Sequence, residues 1–295
     1  MGFNDRRFID LHIHSTASDG TLEPTEVIDH ARAAGLSAIS ITDHDTTDGC
    51  KQVLARSSGT PPEFLTGVEI SAAFPSGTTT TGSIHILGYD IDVHDTRLNR
   101  ILADLRAARN DRSPRIIKRL KQIGFSLSPD DISPFARGGQ VGRPHIAQAM
   151  LHKGYVASIN EAFDKYIGKN GAAFVDKDRI ECDTAIELIS GAGGIPVLAH
   201  PGLIELPGKN DLESLLDTLI NKGILGLEVQ YPGHAEHQAA FFSKYARKHG
   251  LLETGGSDFH GDLNPEIQMG KGTGDLFVEY TVYQRLIEFK RKNFF

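Results

Sequence analysis

Histidines and carboxylates recur at the ends of apolar runs along this chain. His12 and His14 close the run over residues 7–14, and their spacing of two puts both on one face of a strand. Asp43 and His44 follow residues 37–42, and Glu69 ends residues 64–70. His200 follows residues 195–199, and Asp258 and His260, again two apart, follow residues 251–255. His85 belongs to the set but lies near the start of its run, residues 83–89. A lone histidine beside a strand is most often an ordinary hydrogen-bonded residue; six of the 13 at such places are hard to reach by chance. Imidazole and carboxylate without thiolate suit Zn²⁺, Mn²⁺ or Fe²⁺ and argue against a cysteine-type structural zinc site. The set exceeds the needs of one ion, so two or three divalent ions are expected, with Glu69 placed to bridge two. Such a cluster suits phosphate ester hydrolysis. It lowers the pKa of a bound water to about 7, giving a metal-bridging hydroxide, and neutralises charge on phosphoryl oxygens.

Scattered residues can meet only if the fold gathers the strand ends. Pro24 at a helix start, apolar Val27, Ile28 and Ala31 on one face and Gly35 past the end mark the first helix. Seven strand candidates alternate with helices, which predicts an α/β fold with a parallel sheet closed into a barrel. The C-terminal strand ends of such a barrel form one rim, where active sites lie.

Residues 96–183 break the alternation. They read as helices over 98–108, 113–123, 145–152 and 159–166, a helical insertion between barrel parts at 1–95 and 184–295. The insertion starts basic, with about nine Lys or Arg and two Asp between Arg97 and Lys121. It reads either as a solvated helix face or as a lid that presents positive charge to an anion. A Thr-rich run at 78–81 reads as a loop.

The chain has 295 residues, 39% hydrophobic and 23% charged, the balance of a soluble enzyme that needs no staples for its core. Its formal net charge of -7 disfavours non-specific binding to duplex DNA. Two cysteines, Cys50 and Cys182, in no CxxC pattern make a disulfide framework unlikely and a reducing, cytoplasmic setting the default. No apolar signal-peptide stretch opens the chain, and no run reaches the roughly 18 apolar residues of a membrane span.

Residues 10–15 (DLHIHS), 42–45 (TDHD), 67–71 (GVEIS), 199–201 (AHP) and 256–260 (GSDFH) together resemble, in order, the motifs of the polymerase and histidinol phosphatase (PHP) family. The resemblance covers nearly the whole chain. It is strongest to the branch of 3′,5′-nucleotide bisphosphate phosphatases and 5′-to-3′ oligoribonucleases, which carries a Gly-Arg-Pro-His motif in a helical insertion. It implies a distorted (β/α)₇ TIM-like barrel and a trinuclear site. One ion would take His12, His14, Glu69 and Asp258. A second would take Asp19, His44 and Glu69, and a third His85, His200 and His260. Asp19 stands where some members have histidine, and the sequence around it, Ser18-Asp19-Gly20, also reads as a turn.

Arg143 and His145 lie in the matching motif, residues 142–145. Those residues read on their own as a helix N-terminus with Pro144 in its first turn. The resemblance implies that Arg143 forks onto a substrate phosphate with help from His145. Asp43 either orients a ligand from behind or caps the next helix. His234 and His237 are open between substrate contact and ordinary surface roles.

The expectation is therefore a metal-dependent phosphoesterase acting on phosphomonoesters of nucleotides carrying two phosphates, or on the 5′ ends of short RNA. The third ion or His200 would help the leaving alkoxide depart, and Arg143 would select the second anionic group. The alternatives are a histidinol-phosphate-type phosphatase, an amide hydrolase and a non-catalytic metal-binding module. The expected partner is a small phosphorylated substrate, with no membrane and no duplex DNA.

Overall fold

The computed structural model describes residues 7–56, 62–76, 78, 83–136, 141–176, 179–206, 208 and 211–294. Most of the 78–81 run therefore lies outside the described residues. The barrel begins β1 (Phe8–Ile13), α1 (Pro24–Ala33), β2 (Ala38–Ile41), α2 (Asp48–Arg56), β3 (Glu63–Ala72) and β4 (Ile84–Tyr89). Four helices follow: α3 (Thr96–Gln122), α4 (Pro129–Ala136), α5 (Arg143–His152) and α6 (Ile159–Ala162). The chain then returns through α7 (Cys182–Gly191), β5 (Ile195–Leu198), α8 (Asp211–Asn221), β6 (Gly226–Gln230), α9 (Glu236–His249) and β7 (Leu252–Gly255). It ends on β8 (Val278–Glu279) and α10 (Tyr280–Phe294). No described helix is long and apolar enough to cross a membrane.

The strands run in the order β7-β6-β5-β4-β3-β2-β1-β8. The expected parallel sheet of seven strands needs two corrections: a short eighth strand, β8, runs antiparallel to β1, and β4 is reversed within the barrel. β4 is antiparallel to both β3 and β5, with Ser71 opposite His85. Among the described residues no helix separates β3 from β4, and the chain returns antiparallel to β3 instead of crossing over. That reversal explains why His85 sits at the start of its strand. The start of an antiparallel strand lies at the same rim as the ends of its parallel neighbours.

The barrel nearly closes where the chain beyond β7 meets β1. Ile13 bridges Phe259, and the His14 N–H donates to the Phe259 carbonyl at 2.9 Å. Asp10 seals this seam. Its buried carboxylate accepts from the N–H groups of His12, Ser257 and Gly270 and from the Ser257 hydroxyl. Gly256 is required there, because a Cβ would lie 2.3 Å from the His12 nitrogen.

The helices between β4 and β5 carry their own apolar cluster, including Ile116, Leu120, Ile146, Met150 and Ile167. Leu98, Leu102 and Leu105, from the first half of α3, pack instead with the barrel helices. The break expected between two helices is absent: α3 runs through Pro114 as one element of 27 residues. Burial on both sides of Pro114, against two different cores, outweighs the lost hydrogen bond.

Gly256→Ala is expected to cost about 3 kcal/mol or more, because the clash is with backbone. Gly191→Ala, where nothing lies within 4 Å, should cost nothing. Urea titrations of both variants check this; equal midpoints would contradict the seam packing.

Candidate metal centre

Glu69 occupies the middle of the rim. It is 1% exposed and reaches five imidazoles. Its Oε2 lies 2.8 Å from His44 Nδ1, 3.3 Å from His14 Nε2 and 3.5 Å from His12 Nε2. Its Oε1 lies 2.8 Å from His85 Nδ1 and 3.1 Å from His200 Nε2. Asp258 Oδ1 stands 3.3 Å and 3.1 Å from the Nε2 atoms of His12 and His14. All nine residues expected as metal ligands are therefore gathered in one place.

Three overlapping sets have ligand atoms mutually within 4.8 Å: His12, His14, Glu69 and Asp258; His14, Asp19, His44 and His260; and His44, Glu69 and His85. The first set is the one the sequence motifs implied. The placement of His260 differs from the implied partition, which put it with His85 and His200. Its Nε2 lies 3.5 Å from Asp19 Oδ1, and its ring stacks on His14 at 4.1 Å. The cause is local. Asp258 has a left-handed φ of 56°, and His260 Nδ1 lies 2.8 Å from the Asp258 carbonyl, which turns His260 toward the loop of Asp19. His200 takes a place beside His85, with rings 5.2 Å apart.

The residues fit divalent cations. Among the described residues, His12 Nε2, His14 Nε2, Asp19 Oδ1, His44 Nδ1 and Glu69 Oε2 are buried without a hydrogen-bond partner of acceptable geometry. Buried polar atoms are almost always satisfied. Five converging orphans with lone pairs to offer are what a cluster of cations would satisfy.

Several residues hold this ring in place. Asp43 accepts from the Ser15 N–H at 2.8 Å and from the hydroxyls of Ser15 and Ser18, so it braces the loop that carries Asp19 from behind. The Tyr231 hydroxyl donates to Asp258 Oδ2 at 3.2 Å. His234 spends both nitrogens on structure. Its Nδ1 pairs with the Val229 carbonyl at 2.9 Å, and its Nε2 accepts the Gly202 N–H at 3.0 Å. His237 is exposed on α9. Two buried acids inside strands escaped the sequence reading, Asp10 and Glu228. Their signal was available: each is a carboxylate flanked by apolar residues inside a strand, a rare position for an unpartnered acid.

A cleft of about 350 Å³ opens over the ring. Asp19, His44, His85, His200 and His260 line its floor, and Arg112, Arg143 and Phe163 line its other side. Arg143 lies over the Phe163 ring at 5.5 Å. His145 is 1% exposed and does not line the cleft; its Nδ1 accepts the Gly142 N–H at 3.0 Å and so fixes the start of α5. Of the basic residues of α3, Arg106 pairs with Asp48 and Arg97 with Glu187. Arg112 alone among the described side chains of α3's basic stretch lines the cleft, with its Nε donating to the Val175 carbonyl at 2.8 Å.

The PHP domain family matches residues 10–253 of this chain. The chain belongs to the PHP domain family. It is 34% identical over 251 residues to a 5′-3′ exoribonuclease of Haemophilus influenzae, covering 85% of this chain and 89% of that protein. It is 33% identical over 260 residues to a 3′,5′-nucleoside bisphosphate phosphatase of Chromobacterium violaceum, covering 85% and 87%. Among solved structures, an amidohydrolase from Chromobacterium violaceum with bound sulfate and no metal aligns with a TM-score of 0.82 and 30% identity over 96% of both chains.

The charges of this PHP centre are balanced within it. Burial pushes Glu69 up, but His44, His85 and His12 outweigh it and hold the carboxyl well below its usual range. Asp19 and Asp258 are held low in the same way, chiefly by His44 and His12 respectively. Burial pulls His14 down, yet Asp258 and Glu69 outweigh it and raise His14 to about 10. Burial leaves His44 lowered, ready to offer a lone pair.

Without metal, His14 therefore holds its proton at neutral pH, and coordination must expel it. Mn²⁺ binding should release about one proton or more per protein at pH 7.5 and tighten as pH rises toward 10. Calorimetric titrations in buffers of different ionisation enthalpy measure the release; heats independent of buffer would contradict it.

Proposed function

We propose that this protein hydrolyses phosphate esters of nucleotides that carry a second phosphate, either 3′,5′-bisphosphate nucleotides or the 5′-phosphorylated ends of short RNA. The observation that carries the reading is the sharing of one cleft by the His–carboxylate ring and two guanidinium groups, Arg112 and Arg143. The ring suits a phosphoryl group under attack. The guanidiniums suit a phosphate that stays intact, since their planar fork matches its oxygens. Of the two relatives named above, one acts, by its name, on 3′,5′-nucleoside bisphosphates and the other on RNA in the 5′-to-3′ direction.

Two or three divalent ions, Mn²⁺, Zn²⁺ or Fe²⁺, would be held by His12, His14 and Asp258, by Asp19, His44 and His260, and by His85 and His200, with Glu69 shared among them. When bound, such ions lower the pKa of a coordinated water to about 7 and draw charge from phosphoryl oxygens. The chain's own residues do the rest. Asp43, through Ser15 and Ser18, keeps Asp19 at the cleft floor. Tyr231 fixes the orientation of the Asp258 carboxylate. His200 lines the cleft beside His85, with its Nε2 toward Glu69. The start of α5 lines the same cleft through Gly142, Arg143 and Pro144, so a helix N-terminus opens on that space. The helices between β4 and β5 thus act as a lid that carries Arg112 and Arg143. Apolar Ile116, Leu203 and Ile204 complete the walls.

Phosphate release from adenosine 3′,5′-bisphosphate and from a 5′-phosphorylated tetraribonucleotide with added Mn²⁺ tests this reading. Wild type should turn over at least one of them far faster than histidinol phosphate. Arg143→Ala should lower kcat/KM on the bisphosphate by about 10–100-fold, the worth of charged hydrogen bonds to one phosphate. Its effect on p-nitrophenyl phosphate should be smaller. Equal losses on both substrates would remove Arg143 from recognition of the second phosphate.

A further inference from the structure

Strand β6 supplies no direct ligand to the ring, yet it places a fully buried acid, Glu228, beneath it. Both oxygens of Glu228 are committed. Oε1 lies 2.9 Å from His12 Nδ1, and Oε2 accepts the backbone N–H of His200 at 2.7 Å. The first contact selects the His12 tautomer with its proton on Nδ1, which turns the Nε2 lone pair toward Glu69 and Asp258. The second contact holds a residue in an unusual backbone state. His200 has φ 28° and ψ 57°, a left-handed conformation that a non-glycine residue keeps only when its surroundings enforce it. That conformation brings His200 Nε2 within 3.1 Å of Glu69 Oε1.

These two contacts act on opposite sides of Glu69. His12 belongs with Glu69 Oε2, His14 and Asp258, whereas His200 faces Glu69 Oε1 beside His85. We propose that Glu228 is a positioning residue that sets the spacing between the two cation positions flanking Glu69, by orienting the His12 ring on one side and the His200 backbone on the other. The proposal rests on reading the ring as a metal centre, but it does not depend on the substrate.

No smaller change can keep both contacts. A glutamine at 228 has one oxygen and one amino group. It can accept one of the two N–H groups and must present a donor to the other. Both cation positions should therefore weaken together, by about 10–100-fold, the usual effect of losing a carboxylate behind a ligating histidine.

The test is metal binding to the full-length protein by calorimetry and by the visible spectrum of the Co²⁺-loaded form, for wild type, Glu228→Gln, His12→Ala and the double variant. Circular dichroism of the metal-free proteins reports whether each has folded. The expected result is a weaker Mn²⁺ and Co²⁺ affinity and an altered Co²⁺ spectrum in Glu228→Gln, with activity partly restored by excess Mn²⁺. In the His12→Ala background, Glu228→Gln should cost less than in wild type, because part of its action runs through the missing ring. Wild-type affinity and spectrum in a folded Glu228→Gln would overturn the proposal. So would a loss of the same size with and without His12, since that describes a general packing defect. If Glu228→Gln does not fold, Glu228→Asp replaces it, since its carboxylate is one methylene too short to reach both N–H groups, and the same two outcomes decide. Failure of wild type itself to take up metal would overturn the metal centre and this proposal together. Tight metal binding without turnover of nucleotides would overturn only the substrate reading.

Discussion

Glu69 is a carboxylate almost wholly removed from water and ringed by five imidazoles. A buried acid is costly unless its charge is matched and its lone pairs are filled. Protons on the surrounding imidazoles can match it, and so can cations held between them. The rest of the molecule is arranged around that constraint. Strand ends bring the imidazoles in, the Asp10 seam fixes β1 against the chain beyond β7, and Asp43 and Tyr231 lock the outer ligands from behind.

Closure of the barrel and assembly of the site are one event. His12 and His14 alternate with Ile9, Leu11 and Ile13, so the pleat that buries the apolar residues also aims the histidines. Asp258 and His260 reach the ring only because the chain beyond β7 pairs with β1 at Ile13 and Phe259. The helices between β4 and β5 can bring Arg112 and Arg143 over the rim because they have an apolar cluster of their own, anchored to the barrel by the first half of α3. The His–carboxylate ring of the barrel and the two arginines of these helices thus line one cleft.

Much of the ring was legible before any coordinates. His12 with His14, and Asp258 with His260, stand two apart at the ends of apolar runs, a pattern whose geometry follows from the strand repeat alone. The alternation of strands and helices showed the barrel. The direction of β4 was hidden, because a strand's own residues do not encode its orientation. His85 carried the hint, since its early place in the strand makes sense only if β4 is reversed. The gap read between helices at 98–108 and 113–123 is absent from α3, because local propensity ignores the apolar residues buried along both halves of it. The placement of His260 beside Asp19 depended on the turn at Asp258, a left-handed residue that no sequence pattern marks as such. Asp10 and Glu228 were passed over because an acid in a strand is normally exposed. Only their burial shows that they serve other residues.

The central claim, that cations rather than protons satisfy Glu69, is tested most directly by anomalous scattering from crystals soaked in Mn²⁺. The account predicts peaks on both sides of the Glu69 carboxylate. One should lie within bonding distance of the Nε2 atoms of His12 and His14. Absence of any peak within reach of Glu69 at saturating Mn²⁺ would contradict it.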